Sequence, residues 1–252
     1  MKLNDIVNID EKITLKKLYS KQLNENINKH MLFENENFVV INKPSNLAVH
    51  GGTKINSNII DILRNSDNYK DSFIELVHRI DKDTSGCLLL AKNKKFLTKM
   101  HDLLKKGKII KEYHIIVSGK TKKKFKINLK QEILNNYNKK IKKTETITTT
   151  YCETIKNYDT FSFIKAFPKT GKMHQLRIHL AHIGNPIACD NKYGNVLLNK
   201  NFKLFGISRL FLHSASIKFK CPITNESFNI KAPYDNNMTM ILNKIGIIKN
   251  AK

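Results

Sequence analysis

Acidic side chains are scarce in this chain. Against 45 lysines and arginines stand 21 aspartates and glutamates in 252 residues, a formal net charge of +24. The excess is mostly lysine, and abundant asparagine and isoleucine fit a drift toward A/T-rich codons, yet drift alone does not require so few acids. A charge this lopsided repels itself unless a polyanion neutralises it, so nucleic acid is the first partner to consider. Cysteine is sparse too. The four, at positions 87, 152, 189 and 221, are too far apart for paired zinc spacing. With no secretory context they read as reduced thiols in a cytoplasmic protein. No apolar run approaches the ~20 residues of a membrane helix, and the opening MKLNDIVNIDEK is too acidic and polar for a signal peptide. A basic amphipathic helix with aromatic anchors is also missing, which removes the membrane surface as a competitor. Internal repeats and long low-complexity linkers are absent, and a monomer is the default expectation.

What is present alternates mainly between strand patterns. Residues 3–9, LNDIVNI, read as a short strand followed by a polar helical stretch to His30, together an N-terminal arm over 1–30. A compact unit is expected over 31–252, opening with the strand FENENFVVINKPS. HGGTKINSN is a glycine loop leading to a short helix at 59–64, and Phe96, Leu97, Met100, Leu103 and Leu104 recur at helical spacing before Gly107. EYHIIVSGK, TETITTTYCETI and TFSFIKAF are β-branched and aromatic strands. MHQLRIHLAHIGNP reads as a helix stopped by Gly184 and Pro186, and LFLHSASIKFKCPITNESFNIKAP as a hairpin turning at PITNE. Strands outnumber helices and follow one another, which predicts an α+β architecture with a mostly antiparallel sheet. Between Lys105 and Lys143 lie fourteen lysines and two glutamates. That imbalance favours a phosphate-contacting edge over a balanced solvated face.

Chemistry concentrates in ELVHRIDKDTSGCLLLAKN, residues 75–93, where charge abuts an apolar strand. Asp81 is a turn residue on the bland reading. On the sharp one it is a catalytic carboxylate, flanked by Arg79 and Lys82, anchored by CLLLA and given a close ligand approach by Gly86. TGKMHQLRIHLAH, residues 170–182, offers His179 and His182 on one helix, but no third metal ligand nearby. Arg177 in that helix is either a surface salt-bridge residue or the bidentate partner of a carboxylate from another segment. ACDNKYGN places Asp190, Tyr193 and Gly194 in a turn, and Tyr113 reads alone as a core aromatic.

Taken in order, HRIDKDTSG, KEYHIIVSG, TGKMHQLRIH, CDNKYG and FLHSASIKF resemble the RluA family of pseudouridine synthases, and NKPSNLAVHGG resembles its RluC branch, which acts on large-subunit (23S) ribosomal RNA. The resemblance covers about Met31 to Pro233. It implies the pseudouridine synthase fold: a large mixed, mostly antiparallel sheet with flanking helices and a central RNA-binding cleft. It implies no metal and no organic cofactor. It places the catalytic aspartate at Asp81, the strand tyrosine at Tyr113 and the basic partner at Arg177. His78, Arg79, Lys82, His174, Gln175, Asp190 and Tyr193 are the substrate-binding residues it implies. RluC-type members begin with an S4 RNA-binding module, of which residues 3–9 resemble only the last strand.

The implied reaction detaches uracil from ribose at N1, turns the base and rejoins it through C5, with RNA as the partner and the uridine flipped out. Asp81 would attack C1′ or remove a ribose proton to give a glycal. Arg177 would hold Asp81, and Tyr113 would pack on the base or help remove the C5 proton. A zinc deaminase would carry H-x-E and P-C-x-x-C, which are missing. A metal-dependent nuclease would cluster carboxylates. A non-catalytic RNA-binding protein would explain the charge but would need neither Asp81 nor Arg177.

Overall fold

The computed structural model describes residues 27–51, 58–137 and 140–248. The expected strand at 3–9, all of the helical arm except the turn at 27–30, and most of the glycine loop lie outside them.

The centre is β4 (Ser85–Ala91), buried at every position. A strand buried on both faces needs the continuous apolar run that GCLLLA provides. On one side β4 pairs antiparallel with β2 (Phe38–Lys43), itself antiparallel to β1 (Met31–Glu34). On the other it meets β9 (Leu212–Lys220) in a short parallel contact, Ser85 opposite His213 and Gly86 opposite Ser214. The sheet continues antiparallel through β5 (Ile110–Ser118), β8 (Phe161–Pro168), β7 (Lys140–Asn157) and β6 (Lys124–Tyr137). The two-residue β3 (Glu75–Leu76) pairs with β4, and β10 (Ser227–Lys231) forms the expected hairpin with β9. The sheet is mixed and mostly antiparallel.

Because strand side chains alternate faces, each half of this sheet carries two apolar surfaces. Val39, Ile41, Leu88 and Leu90 face α1 (Ile59–Arg64), whereas Phe38, Val40, Cys87 and Leu89 face α2 (Lys94–Lys105) through Phe96 and Met100. In the second half, Ile115, Val117, Ile164 and Ala166 pack on Leu176 and Leu180 of α3 (Gln175–His182). Ile116 and Phe163 pack opposite, on Phe202 of α4 (Val196–Phe205) and Met238, Ile241 and Leu242 of α5 (Asn236–Lys244). The asparagine-rich composition serves the helix starts: Asn58, Asn93 and Asn195 each accept a backbone N–H at an N-terminus, as does Asp235.

The two halves join where β4 touches β9, and Gly86 makes that contact possible. Its φ is +105°, and a Cβ there would lie 2.2 Å from the Ser214 carbonyl oxygen. Gly86 therefore serves strand approach rather than the ligand approach expected from sequence. A polar network ties the same seam. Nε2–H of His213 donates to the Ala232 carbonyl at 3.2 Å, leaving Nδ1 to accept from Ser85 Oγ at 2.8 Å. Arg209 also donates to Ser85 Oγ, at 2.9 Å.

Burial lowers the pKa of both His213 and His179 to about 4. Between pH 6.5 and 4 the unfolded chain holds these protons and the folded chain does not, so the contribution of these two histidines falls as pH drops through that window and levels off below it. The loss is roughly 3 kcal/mol for His213 alone. Urea unfolding from pH 7 to pH 4 should show this fall, and His213→Gln should flatten it by about one proton. A pH-independent midpoint over that range would contradict the assignment.

Candidate active site

Asp81 sits just before β4, at the seam, in a turn closed by Thr84 N–H donating to the Asp81 carbonyl at 3.1 Å. The turn is pinned from behind. The ammonium of Lys43, fully buried at the end of β2, donates to the carbonyls of Pro44 (2.7 Å), Leu47 (2.8 Å) and Lys82 (2.9 Å). Ser45 Oγ donates to the Asp83 carbonyl at 2.7 Å. Burial pushes the Lys43 pKa down to about 7, opposed by the charges of Asp83 and Asp81. Sequence reasoning missed Lys43. Its signal was a lysine at the end of an otherwise apolar strand, VVINK, where a buried ammonium needs acceptors.

With its backbone held, the Asp81 side chain is 24% exposed and lines a small pocket with Arg79, Lys111, Tyr113, His174 and Arg177. Strand β5 supplies Tyr113 as one wall. Burial raises the Tyr113 pKa above the ordinary phenol value, and the charge of Asp81 adds to this. A phenol so placed holds its proton more tightly than free tyrosine in the substrate-free pocket.

Arg177 differs from expectation. Its bidentate fork lies on Asp190, Nε to Oδ2 and Nη2 to Oδ1, both at 2.8 Å. Asp81 is met only by Nη1, 3.6 Å from Oδ2. The reason is donor geometry: one edge of a guanidinium saturates one carboxylate and leaves the remaining amino group for another. Asp190 is fully buried and also accepts from the backbone N–H groups of Lys192 (2.9 Å) and Tyr193 (3.0 Å). It was expected to bind substrate, but it is an internal anchor. Burial opposes the Asp190 charge, yet the Arg177 hydrogen bonds and the two N–H groups hold its pKa below the usual carboxylate value. Burial likewise opposes the Arg177 charge, and the hydrogen bonds and charge of Asp190, with Asp81 and Asp83, hold its pKa up. The ring of Tyr193 covers the guanidinium, its centroid 5.2 Å from Cζ. Its hydroxyl pairs with His174 Nδ1 at 2.9 Å.

Two further expected binding residues are engaged within the protein, and Gln175 also lines the Asp81 pocket. Gln175 donates to Thr149 O and Thr150 Oγ1 and accepts from Thr170 Oγ1 and Lys172 N–H, at 2.7 to 3.1 Å. Its amide is saturated and shapes the loop before α3. His78 accepts the Leu89 N–H through Nε2 at 3.2 Å, and burial lowers its pKa to about 3. It faces a neighbouring groove rather than the Asp81 pocket. Arg79 lies at both openings, its Nη1 donating to His50 Nε2 at 2.7 Å. Lys82 lines a groove on the other side of Asp81 with Lys192, Lys203 and Arg209. His179 is a core residue whose Nε2 pairs with Thr148 Oγ1 at 2.7 Å.

A lone carboxylate at the seam of a mixed sheet, opposed by a clamped arginine and walled by a buried tyrosine, places the molecule among pseudouridine synthases by fold. The solved human RNA pseudouridylate synthase domain containing 4 matches with a TM-score of 0.70 at 22% identity, over 91% of this chain and 98% of that one. The chain belongs to the RNA pseudouridylate synthase family, whose model matches residues 37–182. It is 36% identical to ribosomal large subunit pseudouridine synthase C of Haemophilus ducreyi over 87% of this chain and 70% of that protein. The Pasteurella multocida protein of the same name is 36% identical over 96% and 77%, and the Buchnera aphidicola (Acyrthosiphon pisum) one 38% over 87% and 72%.

Proposed function

We propose that this protein isomerises uridines of large-subunit ribosomal RNA to pseudouridine, with Asp81 as the catalytic carboxylate. One observation carries the reading: Asp81 reaches a pocket whose walls include Tyr113 and the amino group of Arg177. Asp81 acts on the ribose, by attack on C1′ or by removing a proton to give a glycal, and either route sets one carboxylate below the sugar. The N1–C1′ bond breaks with its electron pair staying on N1, the base turns against Tyr113, C5 bonds to C1′ as Asp81 is regenerated, and the C5 proton is lost to solvent while N1 takes one up. Arg177, clamped by Asp190, keeps one donor on Asp81 without occupying both of its oxygens. The uridine enters from an unpaired or flipped position, and Arg79 swings from His50 to the space it vacates. Residues 31–252 form the catalytic unit in this reading, 1–30 its arm, and a cytoplasmic monomer suffices. No helix among the described residues is long and apolar enough to cross a membrane.

Mapping pseudouridines in large-subunit RNA from cells with and without the gene tests the substrate. At least one site should vanish on deletion and return with wild-type protein but not with Asp81→Asn. An unchanged map would overturn the substrate.

The lysine run supports an electrostatic RNA grip. Lys124, Lys126 and Lys130 point outward from β6 while Phe125, Ile127 and Leu129 turn inward. Replacing Lys122, Lys123 and Lys124 by alanine should weaken binding to all RNA sequences alike. It should also reduce the slope of log affinity against log salt by about 2, since each lost phosphate contact removes roughly 0.7–0.9. An unchanged slope would make this run a solvated face.

A further inference from the structure

Lys111 has no role in the account above, and its surroundings are unusual for a lysine. It lies on β5 two residues before Tyr113, so both side chains leave the same face of the strand. Only 9% of its surface is exposed. A Cβ on Gly171 would stand 3.3 Å from its Nζ, so the ammonium rests against a stretch of bare backbone. Among the described residues no carboxylate lies within 4.0 Å of it and no hydrogen bond holds it. Lysines this buried are normally paired, because desolvating a charge is costly; the Lys111 ammonium instead faces the two openings it lines. The other deeply buried lysine, Lys43, has three carbonyls.

The position of Lys111 says what is missing. It is shared between the Asp81 pocket and the larger groove beside it. That groove is lined by Arg79, Lys105, Lys169 and Lys172 and by no aspartate or glutamate. A cation at the wall between the Asp81 pocket and a groove whose charged residues are all basic stands where the backbone of a strand would pass as its base enters the pocket.

We propose that Lys111 is a phosphate-binding residue: its ammonium takes a non-bridging oxygen of a phosphodiester flanking the target uridine, with the groove of Arg79, Lys169 and Lys172 carrying the strand onward. The assignment rests on the functional reading above and deepens it. It makes β5 a two-point gauge, Tyr113 for the base and Lys111 for the adjoining phosphate. Sequence alone hid this, since Lys111 is one of fourteen lysines in its stretch.

A double-substitution cycle tests it. Wild type and Lys111→Met are compared on a short RNA containing a modified uridine, made with phosphates throughout or with one neutral methylphosphonate 5′ or 3′ of that uridine. Removing an unpaired charge from a largely buried side chain should leave the thermal midpoint of Lys111→Met unchanged or raised. Its affinity and kcat/KM on all-phosphate RNA should fall about 10- to 100-fold, the worth of a hydrogen bond to a charged group. One of the two methylphosphonates should cause the same loss in wild type and almost no further loss in Lys111→Met. If both methylphosphonates and the substitution lose affinity additively, Lys111 does not hold a flanking phosphate and the assignment is overturned. Pseudouridine formation by wild type on the same RNA reports the isomerase activity separately, so coupling in affinity decides Lys111 on its own.

Discussion

Asp81→Asn should abolish turnover, with single-turnover rates lower by at least about 10³-fold. The amide keeps the size of the carboxylate and some of its hydrogen bonding. It loses the negative charge, the nucleophile and the base together. RNA affinity should stay within roughly tenfold, because lysine–phosphate contacts dominate binding. Asp83→Asn is the internal control. Its carboxylate sits two residues on in the same turn but lines the outer groove rather than the Asp81 pocket, and it should keep most activity. Equal losses at both positions would mean that charge in the turn matters and Asp81 is not special.

Asp190→Ala should harm both stability and rate although Asp190 lines no part of the small pocket around Asp81. Breaking a buried ion pair by removing one partner costs about 3–5 kcal/mol, since the other charge stays behind. With its fork free, Arg177 needs a new carboxylate, and Asp81 is the one within reach at 3.6 Å. A bidentate grip on Asp81 would occupy the oxygens meant for the ribose, so turnover should fall by about 10²-fold or more beyond any loss of folded protein. The pair Asp190→Leu with Arg177→Met separates the two effects. Replacing both charges by apolar groups should recover much of the stability while activity stays low. Recovery of activity in that pair would show that Arg177 only holds the fold.

The Asp81 turn was legible in sequence because its cues are local: an Asp-Thr-Ser-Gly turn against an apolar strand. Strands β5, β8 and β9 were legible from β-branched and aromatic runs, and α3 from its Gly and Pro stop. Contacts between distant segments were not. Nothing near Arg177 says that its fork goes to Asp190 rather than Asp81, since both acids lie in turns and either could face it. The parallel meeting of β4 and β9, which Gly86 exists to allow, joins residues more than 120 positions apart. Helix α4 escaped notice because Val196, Leu197 and Leu204 are exposed while Asn199 is buried, which inverts the amphipathic pattern. Strand β6 was hidden inside a lysine run whose charge drew attention away from the alternation of Phe125, Ile127 and Leu129. Resemblance to a family pointed to Gln175 and Asp190 as binding residues. Their hydrogen bonds hold the loop and the arginine that face the pocket, while Gln175 lines the pocket itself and Asp190 the outer groove.

The central claim is that this chain moves the glycosidic link of uridine from N1 to C5. That move must expel the hydrogen on C5, and no other reading of the site requires it. The direct measurement is release of tritium to water from large-subunit RNA labelled at C5 of uridine, incubated with the wild-type protein. The account predicts release in step with pseudouridine formation, one tritium for each product, and background release with Asp81→Asn. RNA that binds tightly yet retains its tritium and its uridines would contradict it.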